Sequence, residues 1–155
     1  KVFSKQERKI HKISESILNS HEEINPLSGM QSVAQCFYED NQSKACCDII
    51  KKNLASTRLD GSAEVSCADF TEIIASFKKR GICFDLILID PPYNSGFYTE
   101  ALELISKSNA VSEYCTVLCE HSAADVLPEQ IGIFSLVKTR KYGTVNISIY
   151  RNEVD

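Results

Sequence analysis

The chain has 155 residues, of which 43% are apolar and 25% charged, with a formal net charge of −4. That is enough chain for one domain with a real core. The negative balance argues against tight nonspecific nucleic-acid binding, no stretch approaches the length of a membrane span, and no signal peptide is visible.

Residues 4–20 carry Ile10, Ile13, Ile17 and Leu18 at helical spacing, which predicts an amphipathic helix. Lys1, Lys5, Arg8, Lys9 and Lys12 stand against Glu7 alone in this leader. It either tracks phosphates or is a solvated helix face. Residues 21–32 are polar and broken by Pro26 and Gly29, and are expected to be loop. Val33 to Tyr38 is a short strand ending at Glu39-Asp40-Asn41. A helix over about 42–56 follows, with Ala45, Cys46, Ile49, Ile50 and Leu54 facing inward. Ala63 to Cys67 is the next strand, ending at Ala68-Asp69, and residues 70–80 form a helix that stops at Gly81.

The apolar run Phe84 to Ile89 reads as a buried strand, closed by Asp90-Pro91-Pro92-Tyr93. The two prolines remove backbone donors and fix φ, so the strand must stop and the loop is stiff. A carboxylate, two free carbonyls and an aromatic ring then sit at the carboxyl end of a central strand, where open α/β sheets bind their ligands. Methylation of an exocyclic amine on a flat base suits this group. Asp90 and the Pro91 carbonyl can accept the two amino hydrogens, while Tyr93 stacks on the ring. That frees lone-pair density on the nitrogen to attack a methyl sulfonium. A bare Asp-Pro-Pro-Tyr string is also compatible with an ordinary strand followed by a turn.

A helix over about 97–107 comes next, with Ala101, Leu102, Leu104 and Ile105 on one side, and then a strand from Tyr114 to Cys119 leading to Glu120-His121-Ser122. Phe134 to Tyr142 and Val145 to Tyr150 alternate around Gly143, a hairpin pattern. Alternating strands and helices followed by an antiparallel pair indicate a three-layer α/β sandwich, Rossmann-like and mostly parallel. The organisation expected is a basic helix and loop over 1–29 and one domain over 30–155. Glu39, Asp69 and Asp90 end successive strands and so line one rim; an acid ending the second strand of a nucleotide-binding unit holds ribose hydroxyls. Asp69 could accept from an adenine amino group. The seven cysteines (36, 46, 47, 67, 83, 115 and 119) include no C-x-x-C pair, several lying in apolar patterns. They are expected to be free thiols in a reducing, cytoplasmic compartment, with no metal site.

From about residue 30 onward the chain resembles the RsmD-type small-subunit rRNA guanine-N2 methyltransferases. The matching segments are Ser32-Val33, Phe37-Tyr38-Glu39-Asp40-Asn41, Ile50-Lys51-Lys52-Asn53-Leu54, Phe84-Asp85-Leu86-Ile87 with Asp90-Pro91-Pro92-Tyr93, Glu120-His121-Ser122, and Leu136-Val137-Lys138 with Arg140-Lys141-Tyr142-Gly143. The resemblance implies a seven-stranded class I methyltransferase sheet and S-adenosylmethionine as cofactor, with Glu39 at its ribose, Asp69 near its adenine, and Asp40 and Asp90 also among the cofactor-binding residues. It further implies that Asp90 to Tyr93 hold the target base, and that the partner is ribosomal RNA or the small ribosomal subunit. Two alternatives stay open: a noncatalytic or cofactor-impaired RNA-binding homologue, and an amine methylase acting on another base, such as adenine N6. One departure fits either a chain with a damaged cofactor site or a sequence from which a segment is omitted. The family opens with a strand ending in a loop of the type D-x-F-A-G-S-G. Here only His21 to Pro26 lie between the segments that resemble the flanking helices. The first strand and its glycine-rich loop are therefore expected to be missing.

Overall fold

A computed structural model of the chain describes residues 33–36, 43–91 and 97–152, all within one compact unit, Gln31–Asp155. The expected helix over 4–20, the loop over 21–32 and the division at residue 30 lie outside the described residues. So do Glu39, Asp40, Pro92 and Tyr93.

The described elements, in chain order, are β1 (Val33–Cys36), α1 (Ser43–Thr57), a 3-10 turn (Asp60–Ser62), α2 (Phe70–Arg80), β2 (Phe84–Ile89), α3 (Phe97–Lys107), β3 (Val111–Ser122), β4 (Gln130–Ile131), β5 (Phe134–Tyr142) and β6 (Val145–Asn152). The strands form one sheet in the order β1-β2-β3-β6-β5-β4. β1, β2 and β3 run parallel, and β6, β5 and β4 add antiparallel neighbours. The expected mixed sheet with a closing hairpin is therefore present, with six paired strands among the described residues in place of the seven that the resemblance implies.

β2 is the apolar run read from the sequence, residue for residue, and it has a parallel neighbour on each side. Ile87 and Ile89 share a face with Val117, Cys119 and Tyr150, and these join one core with Phe70 and Ile74 of α2 and Tyr98, Ala101, Leu102 and Ile105 of α3. The two helices meet through an edge contact between Phe70 and Phe97, ring centroids 6.4 Å apart. An irregularity in register between Phe84 and Leu86 lets Phe84 join the same core, against Phe77. Leu118, Val145, Ile147 and Ile149 are buried as well, on the opposite face by strand alternation.

β3 runs from Val111 to Ser122, beyond the expected Tyr114 to Cys119, because β6 pairs with it as far as Ser122↔Val145 and supplies a ladder for Glu120, His121 and Ser122. The β5–β6 hairpin turns on Gly143, whose φ of 66° opens a two-residue loop of the kind that suits strand twist.

Three expectations fail between residues 43 and 69. The face of α1 expected inward is largely solvated: Ala45 is exposed and Ile49 is 57% exposed, with Ile50 and Leu54 only half-buried and the neighbouring Cys47 buried instead. Ala63 to Cys67 is not a strand. Its groups are engaged elsewhere: Glu64 takes both guanidinium nitrogens of Arg80 at 2.7 and 2.6 Å, so the segment is tied to α2 by side chains and not to a neighbouring strand by its backbone. Finally, Cys47 and Cys67 are joined by a disulfide, Cα–Cα 6.3 Å, where free thiols were expected. Cys115 and Cys119 are free thiols, buried like small apolar side chains, and Cys83 is not part of a disulfide.

Candidate active site

β2 delivers Asp90 to the rim of the sheet. Pro91, which is buried, follows it and prevents the ladder from continuing. The register Leu88↔Leu118 and Ile89↔Cys119 carries on to set Asp90 beside Glu120 on the adjacent strand, on the face of Leu88 and Leu118. Glu120 is only 5% exposed and Asp90 is half-buried. Burial, with the Glu120 carboxylate as a second cause, pushes the Asp90 carboxyl up to about 6. Two carboxylates thus end two neighbouring parallel strands, in the crevice where such sheets bind ligands. Glu120 was not assigned a role from sequence. The signal was there, since it ends an apolar strand just as Asp90 does.

The other face of the same rim is held by a hydrogen-bonded chain. His121 is 1% exposed. The Ser122 carbonyl can only accept, so His121 Nδ1 donates to it at 3.0 Å, and Nε2 is left to accept from Ser148 Oγ at 2.9 Å. Ser148 Oγ accepts in turn from Thr139 Oγ1 at 2.8 Å. Burial pulls the imidazole below its ordinary pKa, which keeps it in this neutral tautomer. The ring of Tyr98, on the first turn of α3, stands edge-on to His121 at 5.8 Å. The loop after β3 is pinned as well: Ala124 N–H donates to Ser122 Oγ, and Tyr150 Oη donates to the Pro128 carbonyl at 2.6 Å. The end of β3 beside Asp90 is therefore held by side-chain hydrogen bonds.

Asp69 behaves differently. Its carboxylate accepts from the backbone N–H of Thr71 at 2.8 Å and from the Thr71 hydroxyl, making it the N-cap of α2. Those two bonds hold its pKa below the ordinary value of 3.8. The helix that it caps ends as cleanly, with Gly81 left-handed at φ 65° and the Ile82 N–H donating to the Phe77 carbonyl at 3.1 Å.

These positions test the expected S-adenosylmethionine site. Asp90 fits the rim of a base-binding crevice. Asp69 caps its own helix through Oδ1 alone, which leaves Oδ2 as an acceptor at the exposed start of α2. β1, which leads toward Glu39, pairs directly with β2 through Val33↔Leu86 to Cys36↔Ile89. Among the described residues no strand stands between them where the family's first strand and glycine-rich loop would fall. The described residues do not make up the donor half of the site. No group of three or more His, Cys, Asp or Glu side chains arranged to hold a metal occurs among them.

The sheet order, parallel core and acid-tipped strand ends define a Rossmann-like methyltransferase fold, and comparison with solved structures agrees. The Escherichia coli protein yhhF, a candidate methyltransferase, is similar at TM-score 0.70 and 17% identity, covering 99% of this chain and 89% of that one. The Haemophilus influenzae protein HI0767, a candidate methylase, is similar at TM-score 0.71 and 16% identity, with 93% and 98% covered. A conserved hypothetical protein of Streptococcus pyogenes is similar at TM-score 0.66 and 25% identity, with 79% and 72% covered. Among curated proteins none matches the chain in sequence. The family model "Conserved hypothetical protein 95" matches residues 31–151, and the chain belongs to that family.

Proposed function

We propose that this chain is a methyltransferase for the exocyclic N2 amine of a guanine in small-subunit rRNA, with S-adenosylmethionine as the methyl source. The observation that carries the reading is the placement of Asp90, half-buried at the end of the interior strand β2 and followed at once by a buried proline. The Asp90 carboxylate and the Pro91 carbonyl accept the two hydrogens of the amine, which orients the base edge and leaves the nitrogen lone pair free of those contacts. Family membership and the two similar structures named for methyl transfer support the same class of reaction. In the full sequence Tyr93 stands three residues beyond Asp90, and the stacking role is assigned to it on that ground alone.

A second reading, favoured by the direct pairing of β1 with β2, is a homologue that keeps the acceptor-base crevice and holds the cofactor weakly. Calorimetric titration with S-adenosylmethionine separates the two. A dissociation constant in the micromolar range supports the enzyme, whereas binding at least tenfold weaker than that of a relative bearing the glycine-rich loop, about 1.4 kcal/mol or more, supports the second reading. Methyl transfer onto small subunits, bare rRNA and DNA then distinguishes guanine N2 from adenine N6.

A further inference from the structure

Residues 130–152 contain Lys138, Arg140, Lys141 and Arg151 and no Asp or Glu, in a chain whose net charge is −4. The sheet register sorts these cations. Lys138 pairs with Ile149, Arg140 with Ile147 and Tyr142 with Val145, while Lys141 pairs with Asn146 and so belongs to the other face. The same β6 residues pair onward with Leu118, Glu120 and Ser122 of β3. Lys138, Arg140 and Tyr142 therefore share the face of Glu120 and Asp90, and ascend β5 toward the same rim. Arg140 lies level with Glu120, two strand spacings or roughly 10 Å away. Lys138 is exposed, and Arg140 and Tyr142 are half-buried. Arg140 Nε is shielded from solvent and has no hydrogen-bond acceptor among the described residues. The ion pairs among those residues, Arg80–Glu64 and Lys107–Glu103, involve none of these cations. β4 pairs with β5 only at Phe134 and Ser135, so among the described residues Lys138 to Tyr142 lie on an open edge of the sheet, where their charge also discourages edge-to-edge pairing.

We propose that the β5 face bearing Lys138, Arg140 and Tyr142 is the track for the single-stranded RNA that flanks the target base. Phosphates lie on Lys138 and Arg140, and a neighbouring base stacks on Tyr142 at the rim. Alternating cations ending in an aromatic ring match a backbone that presents one phosphate and one flat base per nucleotide. The track gives an acidic protein a local basic strip for a polyanion: Lys138 and Arg140 share one strand face, beside the crevice that receives the base. This inference rests on the reading of Asp90 as the base-binding acid.

The test is a titration of the full chain with a fluorescent single-stranded RNA oligonucleotide over a series of salt concentrations. Lys138→Gln with Arg140→Gln is expected to flatten the dependence of log K on log salt by up to about 1.4, two single-strand phosphate contacts' worth. Lys141→Gln, on the opposite face, is expected to leave the slope unchanged. Tyr142→Ala is expected to weaken binding by about fivefold or more at every salt concentration, and Tyr142→Phe to restore it. An unchanged slope in the double variant, an equal change in Lys141→Gln, or no RNA binding by the parent chain overturns the track. Asp90→Ala keeps this failure distinct from failure of the proposed function. It removes methyl transfer without altering the slope if the base-binding reading holds, whatever the double variant does.

Discussion

Asp69 and Asp90 are the same residue, each following an extended segment and preceding a helix, and they do opposite things. Asp69 is exposed, accepts two hydrogen bonds from Thr71 at Oδ1 and is held below its ordinary pKa; that oxygen caps α2. Asp90 is half-buried, lies beside Glu120 and is pushed up to about 6; its carboxylate remains at the rim end of the interior strand β2. The difference lies in what surrounds them. Residues 63–69 have no ladder and are held by one ion pair and one disulfide, whereas β2 has a parallel strand on each side. A carboxylate at a rim becomes chemically useful when neighbouring strands desolvate it and the following turn does not consume its acceptors.

The largest effect expected from that contrast is on methyl transfer. Asp90→Ala should lower the rate by about two orders of magnitude or more, the loss typical of removing one preorganised polar contact at a reacting group. Asp69→Ala should stay within a few-fold. Rates measured side by side on the same RNA would break the comparison if the two variants fell equally.

The next effect is on stability. If cross-linking and not strand pairing holds residues 63–69, Cys67→Ser should cost about 3 kcal/mol, the loop-closure value for a separation of 20 residues. Denaturant unfolding of the variant and of the reduced parent chain reads this directly. A loss below about 1 kcal/mol in both would show that other contacts hold the segment.

A smaller effect separates the two acids by pH. Folding raises the Asp90 pKa, so the native state binds that proton more tightly than the unfolded chain does. Its contribution to stability is therefore fully present below about 4 and is lost as pH rises to about 6. Folding lowers the Asp69 pKa, so its contribution is present above 3.8 and is lost as pH falls through its lower native value. Carboxyl chemical shifts followed over pH should show the two titrating on opposite sides of the ordinary carboxylate value, and Glu120→Gln should move only Asp90 downward. Coincident titrations would erase the distinction.

Much of the Asp90 side was legible in the sequence. The six-residue run before Asp90-Pro91-Pro92 could only be a buried strand ending where it does, and Gly81 and Gly143 marked their helix end and turn for steric reasons. The Asp69 side was less so. Asp69-Phe70-Thr71-Glu72 carries an acid at the N-cap position with a glutamate three residues on, the pattern of a capped helix start. Reading Asp69 as the end of a strand passed over that local signal. The register of β1 is set by long-range pairing, and so is the placement of Glu120 beside Asp90. Neither has a local sequence code. The solvated face of α1 is a further case: its apolar spacing is helical, but spacing does not say whether anything packs there.

The central claim is that Asp90 holds a guanine amine for methylation. Its most direct test is transfer of a labelled methyl group to unmodified small-subunit rRNA by the parent chain and by Asp90→Asn, with the product nucleotide identified after digestion. The account predicts N2-methylguanosine from the parent chain and at least about a hundredfold less from the variant. Label on adenine N6, or equal transfer by the two proteins, would contradict it.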